Sequence, residues 1–304
     1  MPEDSRERHT ESNLEKITHH VDQLPMLPGV LFQLMQLDPD DNAFYDHVHN
    51  LAKADPPLAT FILGYANSAA SSPHHKINSL QSALTRVGSQ TIVELVTALS
   101  VSKVFIPSLP VHKALWRHSI ETATLAYFIS KISYHHDIDP EMAYMCGLLH
   151  DIGRFVLFQF APQALQETEA MGWASPDELP VVEKQVIGTS HAEVGYIACK
   201  KLNLPSIVSN VVKHHHNYDI FRNTKVPKAF RELVLIIQFA DFLSVMALKT
   251  EDWKKLSSND LKKHIRSHCI IPNWGDHELP VDMIAEAYPM LISKSDKIAA
   301  SLGV

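Results

Sequence analysis

From about residue 15 to residue 295 the chain keeps to one pattern: apolar residues three or four apart, in runs that proline or glycine cuts short. In "NSLQSALTRVG" the residues Leu80, Ala83, Leu84 and Val87 mark a single face at helical spacing. A half-buried strand would instead alternate at every second residue. Further runs stop before Asp38-Pro39 and at Asp55-Pro56, turn at Gly88, and restart at Pro205 and at "PKAFRELVLIIQFADFLSVMALK". Most β-branched residues fall inside these helical runs, so no large sheet is expected and the fold class is all-α.

At 304 residues, 45% hydrophobic and 20% charged, the chain has the length and composition for two folded domains. "IPSLPVHKA", with Pro107 and Pro110, reads as the boundary between them. The expected organisation is a flexible N-terminus over 1–19, an N-terminal helical subdomain over 20–108, a second helical domain over 109–250, and C-terminal helices over 251–304 packed on that second domain. A net charge of -7 with no block of Lys or Arg argues against a nucleic-acid polymer as partner. No window approaches eighteen apolar residues and "MPEDSRERHTESN" lacks a signal-peptide core, so no membrane span is expected and the cytoplasm is the expected compartment. Cys146, Cys199 and Cys269 are isolated, with no CxxC pair and no disulfide framework.

The chain holds 19 histidines, and neutral imidazole is the commonest metal ligand. His19-His20, His74-His75 and His135-His136 lie in polar stretches and read as surface or capping residues. Others stand where burial is expected. His150 and Asp151 end an apolar run in "GLLHDIGR", where both are costly unless paired. His118 sits mid-helix among Leu115, Ile120 and Ala123, and Asp241 follows "LVLIIQFA". Ser190 and Glu193 form a capping box that sets His191 in a first turn, and His214 and His215 come late in the helix begun at Pro205.

Alone, each has a bland reading: a hydrogen-bonded core polar group, a surface histidine, or a polar helix end. Together, His118, His150, Asp151, His191, His214, His215 and Asp241 are a nitrogen and oxygen ligand set suited to iron, manganese, nickel or zinc. Seven ligands exceed the needs of one ion. If they converge, Asp151 can bridge two, as hydrolytic two-metal sites require. Adjacent residues point about 100° apart on a helix, so His150 and Asp151 reach one cluster only if the helix ends or distorts, which Gly153 permits.

The chain resembles the HD superfamily of metal-dependent phosphohydrolases, and more closely the HDOD family, the HD-related output domain proteins of bacterial signalling. The resemblance spans roughly residues 20 to 250. "LPMLPGVLFQLMQL" is similar to the family's opening segment, Asp55-Pro56 and Ala66-Asn67-Ser68 to its DP and AN motifs, and "INSLQSALTRVGSQTIVELV" to the helix pair that follows. In the superfamily's metal signature, His118 matches the first histidine, His150-Asp151 the HD doublet and Asp241 the final aspartate. His191, His214 and His215 match the added ligands of the HD-GYP branch, although "HNYDIFRNTKVP" has no GYP motif. Arg154 stands where HD-GYP relatives often carry lysine, a position from which a guanidinium can contact a phosphate bidentately.

The resemblance implies an HD-superfamily helical bundle preceded by an N-terminal helical subdomain. It also implies a mono- or dinuclear divalent transition-metal site and metal-assisted phosphoester hydrolysis. In that chemistry Asp151 bridges, His118, His150 and Asp241 hold one ion, and His191, His214 and His215 hold the other. Arg154 or Lys213 would clamp the phosphate of a phosphoester or nucleotide ligand, and His216 or Asp219 is within reach as general acid. Two alternatives stay open: a non-catalytic output module that binds a signalling protein partner through residues 20 to 105, and a nucleotide sensor without turnover.

Overall fold

The computed structural model describes residues 37, 41, 43–54, 56–67, 77, 79–102, 110–133, 138–202, 204–250, 252–275, 277–302 and 304. The expected flexible N-terminus, the opening segment up to Asp38-Pro39 apart from Leu37, the boundary at Pro107, and the paired histidines at 19–20, 74–75 and 135–136 lie outside them. Among the described residues there are helices and turns and no strand, as the spacing of apolar residues requires. Among the described residues no helix is long and apolar enough to cross a membrane.

The chain divides into two compact units, one of residues 26–106 with 297–304 and one that includes residues 107–296. The first contains α1 (Phe44–Ala54), α2 (Pro56–Ala66), α3 (Leu80–Val87) and α4 (Ser89–Ser102). Phe44, Val48, Leu58, Ile62, Leu84 and Ile92 close its core. Gly88 joins α3 to α4 at a positive φ of 83°, a conformation glycine adopts without steric cost.

Asn67, singled out in the AN motif, has a structural role in this unit. Its side-chain amide donates to the carbonyls of Leu63 (2.9 Å) and Ile77 (2.8 Å), and its side-chain oxygen accepts from the Ile77 amide at 2.8 Å. One side chain thus ties the end of α2 to a residue ten positions on. Asn67→Ala removes the side-chain bonds to the Ile77 amide and carbonyl, while the Leu63 carbonyl keeps the backbone amide of residue 67, and is expected to destabilise this unit by about 2 kcal/mol. Hydrogen exchange should show faster exchange of amides in α2 and α3 and unchanged protection in the other unit.

The larger unit contains α5 (Pro110–Ile132), α6 (Pro140–Leu149), α7 (Ile152–Phe160), α8 (Pro162–Met171), α9 (Leu179–Val186), α10 (His191–Lys201), α11 (Ser206–His214), α12 (Lys228–Lys249) and α13 (Ser258–His268). To it also belongs α14 (Val281–Ser301) as far as Asp296. Every residue of α12 from Glu232 to Met246 is buried, so this helix is the unit's axis and is apolar nearly all round. C-terminal residues pack on it: the Tyr288 hydroxyl donates to the Leu243 carbonyl at 2.5 Å, and Trp274 Nε1 donates to Gln238 at 3.0 Å. Cys146, Cys199 and Cys269 are buried free thiols.

Candidate metal centre

The run "EMAYMCGLLHDIGRFVLFQF" does not form one helix. α6 ends at Leu149 and α7 begins at Ile152, with Asp151 at φ -97°, ψ 17°, outside helical geometry. This joint lets two adjacent side chains reach one cluster. Gly153 acts differently from the sequence expectation: it lies inside α7 and is needed for close approach. A Cβ there would stand 1.9 Å from the His191 carbonyl oxygen and 2.7 Å from the Gly195 amide nitrogen. α7 and α10 cross with backbone against backbone, which brings His191 to the HD joint. Ser190 and Glu193 make the expected capping box and fix the start of α10.

Six of the seven sequence-selected ligands converge. His118, His150 and Asp241 each offer an atom within 4.8 Å of the others, and Asp151, His191 and His215 do the same together with His216. Asp151 lies between the two groups. Its Oδ1 is 3.0 Å from His191 Nε2, 3.7 Å from His150 Nε2 and 3.8 Å from His215 Nε2, and its Oδ2 is 3.7 Å from His118 Nε2. His118 Nε2 is 3.4 Å from Asp241 Oδ1.

His214 is the exception. It is the last residue of α11, half-buried, with its ring edge-on to Phe230. Consecutive residues at a helix end diverge by about 100°, so the turn that brings His215 and His216 inward carries His214 away. His216, considered only as a general acid, takes the place in the cluster expected for His214. The other guesses fall elsewhere: Lys213 Nζ stands over the Tyr196 ring, and exposed Asp219 accepts from Asn273 at 2.8 Å.

The hydrogen bonds fix which ring nitrogens face inward. His150 Nδ1 donates to the Gly147 carbonyl and His215 Nδ1 to the Val212 carbonyl, both at 2.7 Å. His191 Nδ1 donates to Glu183 Oε2 at 2.6 Å, and the same oxygen accepts the His191 amide at 2.8 Å. Ser244 Oγ donates to Glu121 Oε2 at 2.8 Å, so it accepts from His118 Nδ1 at 2.9 Å. His216 Nδ1 pairs with the Tyr218 hydroxyl at 2.9 Å. Every Nε2 therefore points into the cluster: His118 lies 3.2 Å from His150, and His191 lies 3.1 Å from His215 and 2.9 Å from His216. A nitrogen with its Nδ1 proton already donated outward is a ligand-ready lone pair.

The electrostatics describe a cavity short of positive charge. Burial, with the neighbouring His150, pushes His118 down to about 3, and burial likewise lowers His150, His215 and His216. His191 is opposite: burial opposes its charge, but Glu183 and Asp151 together push it up to about 10. Burial also works against the Asp151 carboxylate, yet His150, His191 and Arg154 hold it well below the ordinary range. Asp241 is driven well above that range by burial and by Asp151. Five inward nitrogens and two carboxylates stand 2.9–3.8 Å apart, with acceptor atoms crowded against one another. Cations fit this set, and cysteine is absent from it, as suits an open site.

Glu183, Glu121 and Ser244 were not picked out in the sequence. A signal existed for Glu183, since Leu179, Glu183 and Ile187 recur every four residues on one buried face. Burial raises Glu121 to about 7, against the pull of Ser244 and Arg117. Arg154 pairs with Glu169 at 2.5 Å and with Asp151 at 3.6 Å, while its buried Nε has no partner. A cavity of about 350 Å³ opens over His118, Asp151, Asp241 and His216.

An uncharacterized protein of Treponema pallidum (strain Nichols) is 25% identical over 228 residues, which is 74% of this chain and 43% of that relative. The chain thus spans less than half of that relative's length. A crystal structure from Shewanella amazonensis SB2B, described as a candidate phosphohydrolase, superposes with a TM-score of 0.66 at 20% identity, covering 94% of this chain and 98% of that one. An HDOD domain protein of unknown function from Geobacter sulfurreducens superposes with a TM-score of 0.63 at 20% identity, covering 94% and 99%. The sequence profile of the HDOD domain matches residues 24–218, from ahead of α1 to just past the His214–His216 turn, and the chain therefore belongs to the HDOD family.

Proposed function

We propose that this protein holds two divalent transition-metal ions and uses them to bind and hydrolyse a phosphoester in bacterial signalling. One observation carries the reading: five imidazole Nε2 atoms and two carboxylates converge while hydrogen bonds hold the imidazoles by their outer nitrogens. His118, His150 and Asp241 would hold one ion, His191, His215 and His216 the other, and Asp151 both. Bound there, the ions would supply Lewis acidity and a water acidified enough to serve as nucleophile near neutral pH. The chain's own contribution is orientation. Glu183, Gly147, Val212 and the Ser244–Glu121 pair hold the imidazoles by their outer nitrogens, and Arg154 sets a positive charge beside Asp151. The phosphohydrolase description carried by the Shewanella fold accords with this reading. The metal-binding part would span residues 109–250, with 251–296 packed on it and 20–108, joined by 297–304, as a partner-facing subdomain.

Metal analysis of the purified protein should find about two ions per chain. With Mn2+ or Fe2+ added, generic phosphodiester and phosphomonoester substrates should turn over, and Asp151→Ala should lower metal content and return the rate to background. A chain without metal and without turnover overturns the reading. A second reading keeps the ions and drops turnover, leaving an output module or nucleotide sensor. In its favour is the pairing of Arg154 with Glu169, which engages the guanidinium beside the cluster. Metal without turnover, with a signalling partner captured through residues 20–108, selects it.

A further inference from the structure

The cavity above the cluster is polar at its base and, apart from the Arg154–Glu169 pair, mostly apolar above it. On α5, His118 is followed one turn outward by Leu115 and two turns outward by Val111; on α12, Asp241 is followed by Val245 and then Leu248; on α7, Arg154 is followed by Phe158. Exposure rises along the same path, from 4% at Leu115 and 6% at Val245 to 41% at Val111 and 45% at Leu248. Three helices thus bring charged groups together at the bottom and line the way out with hydrocarbon. The polar groups on the wall engage one another, Glu169 accepting from Arg154 at 2.5 Å and from Trp173 Nε1 at 3.1 Å, with Arg154 Nε alone left without a partner.

A ligand with a phosphate at the base therefore meets apolar surface directly beyond it. Ribose hydroxyls at that level would lie against Leu115, Phe158 and Val245 and lose their hydrogen bonds to water without replacement. The volume of about 350 Å³ is at the small end for ligand cavities and gives room for one compact group within the apolar walls. We infer that this site selects a small phosphoester whose phosphate is joined directly to a compact apolar or aryl group, with Leu115, Phe158, Trp173, Leu179, Val245 and Leu248 forming the wall it rests on. This rests on the phosphoester reading above and narrows it to one class of ester.

The test is calorimetric titration of the full chain in excess Mn2+ with four compounds: inorganic phosphate, ribose 5-phosphate, adenosine 5′-monophosphate and phenylphosphonate, whose P–C bond resists hydrolysis. Phenylphosphonate should bind at least tenfold tighter than inorganic phosphate and ribose 5-phosphate, and no weaker than the nucleotide. Val245→Thr and the more exposed Leu248→Ser should each shrink that margin severalfold while binding of inorganic phosphate stays as it was. A margin under tenfold, or tighter binding of ribose 5-phosphate or the nucleotide, overturns the inference and leaves the phosphoester reading standing. Failure of all four compounds to bind overturns that reading, and this inference with it.

Discussion

Dialysis of the purified protein against a strong chelator is expected to lower its melting temperature by roughly 10–20 °C, with full recovery when Mn2+ is restored. The magnitude follows from linkage. Two ions, each present at a hundredfold excess over its dissociation constant, stabilise the folded state by roughly 5 kcal/mol in total. For a folded unit of this size each kcal/mol moves the midpoint by about 2–4 °C. The physical source is the crowding of lone pairs: His118 Nε2 and His150 Nε2 at 3.2 Å, and His191 Nε2 and His216 Nε2 at 2.9 Å. Stripped of cations, these rings must take up protons in a buried site that resists charge, or move apart. Asp151→Ala should melt at one temperature with or without chelator. A wild-type melt that ignores both chelator and added metal would contradict the dinuclear reading even if some phosphoester turnover were found.

The second large effect is expected at Gly153. In Gly153→Ala the new methyl would collide with the backbone oxygen of His191 at 1.9 Å and the amide nitrogen of Gly195 at 2.7 Å. Neither atom can rotate aside as a side-chain tip would, so α7 and α10 must separate. The expected cost is about 3 kcal/mol or more, a melting point lower by roughly 6–12 °C. Because α10 carries His191, 3.0 Å from Asp151, metal content should fall with it. Gly64→Ala is the control. That glycine lies inside α2 with nothing within 4 Å of a Cβ, so the same substitution should stabilise its helix by up to about 1 kcal/mol. Equal melting of the two variants would mean that the crossing of α7 and α10 is looser than these distances state.

How much of this was readable beforehand depends on the kind of signal. The all-α class, the turn at Gly88, the capping box at Ser190 and the burial of α12 follow from apolar spacing and short-range chemistry, which a sequence displays directly. Asp241, His118 and the HD doublet were legible because charge inside an apolar run demands a partner. The choice between His214 and His216 was not, since it turns on a rotation of one residue at a helix end. The true reason for Gly153 was hidden as well: a glycine needed for flexibility and one needed for clearance look alike until the facing backbone is known. The Glu121–Ser244–His118 chain joins residues more than 120 positions apart, and ordinary polar residues on two helices give no local sign of it.

The joint between α6 and α7 has one more consequence. Its two residues stand in different halves of the cluster, His150 with His118 and Asp241, and Asp151 with His191, His215 and His216. Adding or deleting a single amino acid on either flank would turn one helix by about 100° about its own axis and swing a clustered side chain out of reach. Length can therefore drift in the surface connections of this unit, such as the turn ahead of Lys228, while the spacing through the doublet admits exchange of side chains and nothing else.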